Sequence, residues 1–292
     1  MSRGALPLVL LLAAVQAGAR TAAAQTPDAP PASPAASADR VLGPSGPAPS
    51  SGVFPALGSE LGRYGRDSVG LLTAPLSWNR ADREKAAAFA VMLGGLFAAD
   101  RAIDRRAQSY RSPATNRVSG ATSTFGAEGG FGVSAALVVA GLAFHSPGLR
   151  DTGRDAIEAA IVAGLLDDVV KKAAGRERPN RSNGQTVFEP GSSNVSFASG
   201  HTTVAFAVAS VIAARSSGWI VPGLAYAAAT IVGLDRINDR AHFASDVFTG
   251  AVLGTVTGRW LVHRHRDEAG DGREATIELV PIGRGLGASI RF

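Results

Sequence analysis

Seven side chains between residues 171 and 246 are of the types that handle a phosphate group, and they fall in three short clusters. The clusters are Lys171-x6-Arg178-Pro179, Ser199-Gly200-His201 and Arg236-x5-His242-x3-Asp246. Three cations suit phosphate oxygens, one imidazole suits attack on phosphorus, and a second suits protonation of a leaving oxygen. At average residue frequencies, three such clusters in this order arise by chance about once in 10^5 chains.

Each cluster has a local chemistry. Pro179 forbids simple continuation of the helix that ends near Ala174-Gly175, so Lys171 sits in a last helical turn and Arg178 lies across the break. The two can converge on one anion, the guanidinium as a planar fork and the ammonium as a compact charge. Ser199, Gly200 and His201 precede an apolar helix, where free backbone N–H groups and a glycine let an anion approach the chain closely. Ser199 can cap that helix and donate to the same anion. His242 and Asp246 are four apart at the entry to the last helix, a spacing that can set the carboxylate against one ring nitrogen and leave the other free.

Helix-like apolar stretches position these clusters, at about 84–100, 129–145, 155–173, 201–215, 219–234 and 246–262. Breaks at Ser112-Pro113, Ser146-Pro147-Gly148, Arg178-Pro179-Asn180 and Ser216-Ser217-Gly218 separate them. The expected fold class is all-α, six helices in one domain over residues 53–265. From 272 to 292 the rhythm changes to alternation around Gly283-Arg284-Gly285, which predicts a short C-terminal β-hairpin. The uninterrupted apolar runs are shorter than the roughly 20 residues of a membrane span. Their small residues nevertheless suit membrane helix packing, so soluble and embedded bundles both stand.

The three clusters, in order and spacing, resemble the signature K-x6-RP, PSGH, SR-x5-H-x3-D of the type 2 phosphatidic acid phosphatase (PAP2) superfamily, which also includes vanadium haloperoxidases. The resemblance covers residues 156–260 and departs at two positions, Ala198 for proline and Asp235 for serine. Asp235 sets a negative charge beside Arg236. The resemblance implies a six-helix bundle and a phosphatase needing no cofactor or metal. It implies that His242 attacks phosphorus to form a phosphohistidine, supported by Asp246, while His201 protonates the leaving oxygen. Lys171, Arg178, Arg236, Ser199 and the Gly200 N–H would hold the phosphate oxygens. The same cradle could hold vanadate in a haloperoxidase, although about 210 residues of globular chain are few for one. A binder that has lost catalysis is the third reading.

The ends and the bulk properties set the compartment and the partners. Arg3, the apolar stretch Leu6 to Val15 and Ala22-Ala23-Ala24 before Gln25 read as a signal peptide over residues 1–24. Residues 25–52 are rich in Pro, Ala and Ser and predict a disordered linker. Export, to a periplasm or a membrane with the active site on the exported side, is the expectation. The chain of 292 residues has no cysteine, which excludes disulfides and thiolate metal sites. Its formal charge of +5 comes from scattered arginines rather than a basic block, which fits a phosphorylated small molecule or a lipid phosphate better than nucleic acid. The sequence leaves the substrate and the oligomeric state open. His263 and His265 read as a solvated helix end, and His145 as a loop residue.

Overall fold

The computed structural model describes residues 57–124, 127–182, 187–269, 276–282 and 285–291. The expected signal peptide and linker lie outside them. All six expected stretches are helical: α2 (Arg80–Ser109), α4 (Ala127–Ala143), α5 (Pro147–Ala174), α6 (Gly200–Ala214), α7 (Ile220–Asn238) and α8 (Ala244–Ala269). Two more α-helices occur among the described residues, α1 (Leu57–Thr73) and α3 (Pro113–Thr124), so the helix count is eight rather than six. Both escape a reading built on apolar runs, because α3 has few large apolar residues and those of α1, among them the fully buried Leu71, are spaced between charges and glycines. Strands β1 (Thr276–Ile282) and β2 (Gly285–Arg291) pair antiparallel, with Thr276 opposite Arg291 and Ile282 opposite Gly285.

Local signals set the helix ends. Asn79 caps α2 by accepting from the Asp82 N–H at 3.0 Å, and Ser146 stands before Pro147 at the start of α5. Helix α5 stops at Gly175, which takes the left-handed conformation (φ 55°) and donates its N–H to the Lys171 carbonyl. A Cβ there would stand 1.8 Å from the Glu189 carbonyl oxygen, so the returning loop fits against a glycine alone.

Helices α6 and α8 touch through glycines. Gly250, Gly254 and Gly258 recur every fourth residue on α8 and face the backbone of Ser199, Thr203 and Ala207 in turn. A Cβ at Gly254 would lie 2.1 Å from the Thr203 carbonyl, which fixes a backbone-close contact. Both series rise together, so the two helices run parallel and open at the same end of the bundle. Their positive N-terminal poles therefore converge where the motif residues lie.

The interior carries many charges and the exterior many apolar groups. Asp100, Asp104, Asp155, Glu158 and Asp167 are buried, whereas Val91, Leu224, Leu234 and Trp219 are exposed by 77%, 62%, 60% and 81%. Helices α2 (30 residues) and α7 (19 residues) are long and apolar enough to cross a membrane, and only 22% and 28% of their most apolar stretches are buried. Uninterrupted runs in the sequence understate these lengths, because inward-facing Asp100 interrupts α2 without interrupting its outer face.

Candidate active site

The site is built on one buried guanidinium. Arg176, fully enclosed, donates to Asp246 Oδ1 at 2.5 Å, to Ser245 Oγ at 2.6 Å and to Asp100 Oδ2 at 2.7 Å. Its face lies over Phe243, 4.0 Å from the ring centroid. Asp100 also accepts from the Ser245 N–H and hydroxyl, at 2.9 and 2.5 Å. Asp246 accepts from Ser196 Oγ at 2.7 Å and from the Phe243 N–H at 2.9 Å. This network ties α2, the loop after α5 and the start of α8 together. Breaking it would leave carboxylates buried without a counter-charge.

His242 hangs from this frame. Its Nδ1 lies 2.7 Å from the Ser196 carbonyl, which as an acceptor requires the proton on Nδ1. The Asp246 carboxylate is 3.8 Å from the same nitrogen, beyond hydrogen-bond reach. The i, i+4 spacing thus brings the carboxylate near the ring, while the direct orienting group is a main-chain carbonyl that Asp246 steadies through the Ser196 hydroxyl. No hydrogen bond among the described residues occupies Nε2. His201 opens α6 nearby, and its pKa is lowered by burial and then by the neighbouring Arg236.

The phosphate-binding candidates assemble around the two imidazoles. Lys171 Nζ lies 2.6 Å from where a Gly200 Cβ would stand, so the glycine admits the ammonium to the start of α6. Lys171 pairs with Asp167, whose other oxygen accepts from Thr203 Oγ1 at 3.3 Å. The Ser199 N–H donates to the Asp246 carbonyl at 3.1 Å, and its hydroxyl meets Thr202 Oγ1 at 2.9 Å. Arg236, 8% exposed, pairs with Asp235, with Asp239 at 3.7 Å. Arg178 is the candidate cation for which the described residues provide no side-chain partner, and its Nε is buried without a hydrogen bond. Burial and the neighbouring charges of Arg181 and Arg236 hold its pKa down. Arg240 braces the rim: it donates to both oxygens of Asp104, at 3.2 and 3.0 Å, and to the Pro179 carbonyl at 3.2 Å.

All eight residues singled out in the sequence therefore belong to one end of the bundle. Residues 153–269, which contain them all, match the family model described as PAP2 superfamily. This part of the chain is a PAP2 domain. Within 108 residues it is 34% identical to a lipid A 1-phosphatase of Porphyromonas gingivalis, over 36% of this chain and 21% of that protein. It is 30% identical over 126 residues to a probable lipid phosphate phosphatase 4 of Arabidopsis thaliana, over 32% of this chain and 41% of that one. The chain thus spans between a fifth and two fifths of these relatives. The fold is similar to that of a transmembrane PAP2-type phosphatidylglycerolphosphate phosphatase from Bacillus subtilis, with a TM-score of 0.50 and 24% identity, over 63% of this chain and 94% of that one.

The PAP2 motifs did not reveal Arg176, Asp100, Ser196 or Ser245. Asp100 could have been suspected, because a carboxylate inside the apolar stretch Phe97-Ala98-Ala99-Asp100 demands a buried partner. One reading needs correction. His265 is not a solvated helix end: its side chain is 10% exposed and meets carboxylates from α1 and α5. Beside the PAP2 site lies an open apolar groove of about 980 Å³ between α2, α3 and α7, lined by Ile103, Tyr110, Val118, Ile231 and Leu234 and reaching Asp235.

Proposed function

We propose that the chain is an exported, metal-independent phosphatase that hydrolyses lipid phosphates through a phosphohistidine at His242. The observation that carries this reading is the hydrogen bond from His242 Nδ1 to the Ser196 carbonyl, which leaves the Nε2 lone pair available to phosphorus. In the first step an Nε2–P bond forms as the P–O ester bond breaks, and His201 gives its proton to the leaving oxygen. A water then attacks phosphorus while His201 takes its proton back, the N–P bond breaks, and inorganic phosphate departs. Arg178, Lys171 and Arg236, with the two helix N-termini, stabilise the charge on the equatorial oxygens.

The lipid assignment rests on the surroundings of the site. The apolar groove runs from Asp235, next to Arg236, along the outward faces of α2 and α7, the two helices long enough to cross a membrane. An acyl chain fits there while its phosphate reaches the cations. The relatives named as lipid phosphatases are consistent with this class of substrate.

The test compares phosphate release from a dioleoyl phosphatidate and from p-nitrophenyl phosphate, with no metal added. Ile231→Asp should lower the ratio of lipid to p-nitrophenyl phosphate turnover about tenfold, as a charge in an apolar groove repels an acyl chain. An unchanged ratio would remove the lipid assignment and leave the phosphatase chemistry standing.

A further inference from the structure

At the end of the bundle opposite the PAP2 site, three helices bring together Asp67 of α1, Glu158 of α5 and His265 of α8. One ligand atom from each lies within 4.8 Å of the others. His265 Nε2 is 3.6 Å from Asp67 Oδ2 and 3.7 Å from Glu158 Oε2. Ligands around a tetrahedral zinc stand about 3.3 Å apart, given bond lengths of about 2.0–2.1 Å. Asp67 and Glu158 are 1% and 0% exposed. Asp67 Oδ2, both Glu158 oxygens and His265 Nε2 are buried without a hydrogen bond.

Apart from Glu158 Oε2, which Arg63 meets, these buried polar atoms have no partner, and such a group is costly unless something lies between its members. The outer contacts are already made. His265 Nδ1 bonds to Asp155 Oδ1 at 3.0 Å, Arg264 pairs with Asp67 Oδ1 at 2.9 Å, and Arg63 forms an ion pair with Glu158 at 2.8 Å. A carboxylate on the far nitrogen of an imidazole is the usual way a metal-binding histidine is oriented. We propose that Asp67, Glu158 and His265 form a binding site for one divalent transition-metal ion of the zinc class, which fastens α1 to α5 and α8.

A cavity of about 330 Å³, lined by Arg63, Arg150, Asp151, Arg154, Asp155, Arg215 and His265, adjoins the cluster on the His265 side.

The experiment uses the purified full chain with Zn2+ as the probe. After dialysis against micromolar Zn2+ and then metal-free buffer, wild type should retain about one zinc per chain by elemental analysis. Its Tm should rise by several degrees with Zn2+ and fall back with chelator. Glu158→Gln and His265→Gln should each lose the zinc and the shift, whereas His242→Ala, at the other end, should keep both. Should the variants fail to fold, Co2+ added to wild type supplies the readout, with visible d–d absorption from nitrogen and oxygen ligands. Zinc retention that depends on His242 rather than Glu158, or a wild-type Tm indifferent to Zn2+ and chelator with no Co2+ absorption, would overturn the site and leave a proton-sharing network only.

Discussion

Helices α5 and α8 carry a charged cluster at each end, and the two clusters are built on opposite principles. At the PAP2 end, Arg176 donates to Asp246, Asp100 and Ser245, and Asp246 takes two further hydrogen bonds from Ser196 and Phe243. Near the other end, ~29 Å along α8 at 1.5 Å per residue, Asp67, Glu158 and His265 leave oxygens and a nitrogen unbonded. The first cluster closes around the carboxylates of Asp100 and Asp246, with Arg176 Nε left over, and holds His242 beside an Arg178 that has no side-chain partner among the described residues. The second faces inward and is unfinished. A buried polar network that is complete rigidifies, and one that is incomplete marks a place for something else.

The contrast breaks most severely at Arg176. Arg176→Ala removes the counter-charge of both Asp100 and Asp246, and should cost about 3–5 kcal/mol of stability, as for other buried pairs deprived of one partner. Activity should fall with it, because the Ser196 carbonyl that orients His242 is held through Asp246. Chemical denaturation at pH 7 checks this. A loss below about 1 kcal/mol would mean that the network is not the frame of the site.

The far end gives a pH test with the opposite sense. In metal-free protein, Glu158 is held up to about 8, so its contribution to stability is full below its ordinary value of 4.5 and is lost as pH rises through about 8. His265, held up to about 9, contributes fully below 6.5 and loses its contribution as pH rises through about 9. Asp67 and Asp155 are held low, so their contribution is full above 3.8 and is lost only as pH falls below it. Around them stand Arg63, Arg264 and Arg215, which stay charged throughout. The Tm should therefore decline between about pH 5 and pH 9, and Glu158→Gln should flatten the part of that decline below pH 8. Equal slopes in variant and wild type would place the titration elsewhere.

The smallest effect concerns Asp235, where the chain departs from the PAP2 pattern. The carboxylate holds Arg236, so the guanidinium must leave it to meet phosphate. Asp235→Ser should raise kcat/KM by about three- to tenfold, because the buried guanidinium no longer has to leave a carboxylate. A fall would mean that Asp235 positions Arg236 rather than restraining it.

How far the sequence could be read follows from where contacts lie along the chain. Lys171, Arg178, His201, Arg236, His242 and Asp246 were legible because their spacing is local and their types are those of phosphate chemistry. Arg176 was not, since it stands two residues before Arg178 and looks like one more loop cation. Its partner Asp100 lies 76 residues away. His265 was misread for the same reason: its sequence neighbours are arginines and acids of an exposed helix end, and its real neighbours come from α1 and α5. Helices α1 and α3 were missed because no uninterrupted apolar run marks them, although α1 buries Leu71 in the core and its Asp67 supplies a wall of the far cluster.

The central claim is that His242 Nε2 forms a covalent bond to phosphorus. Acid-quench of the enzyme with a 32P-labelled lipid phosphate at early times tests it most directly. The account predicts label on the chain that is stable to base and released by acid, as a phosphoramidate is, and absent in His242→Ala. Turnover of the substrate by wild type with no such label at any time, or the same label in His242→Ala, would contradict it.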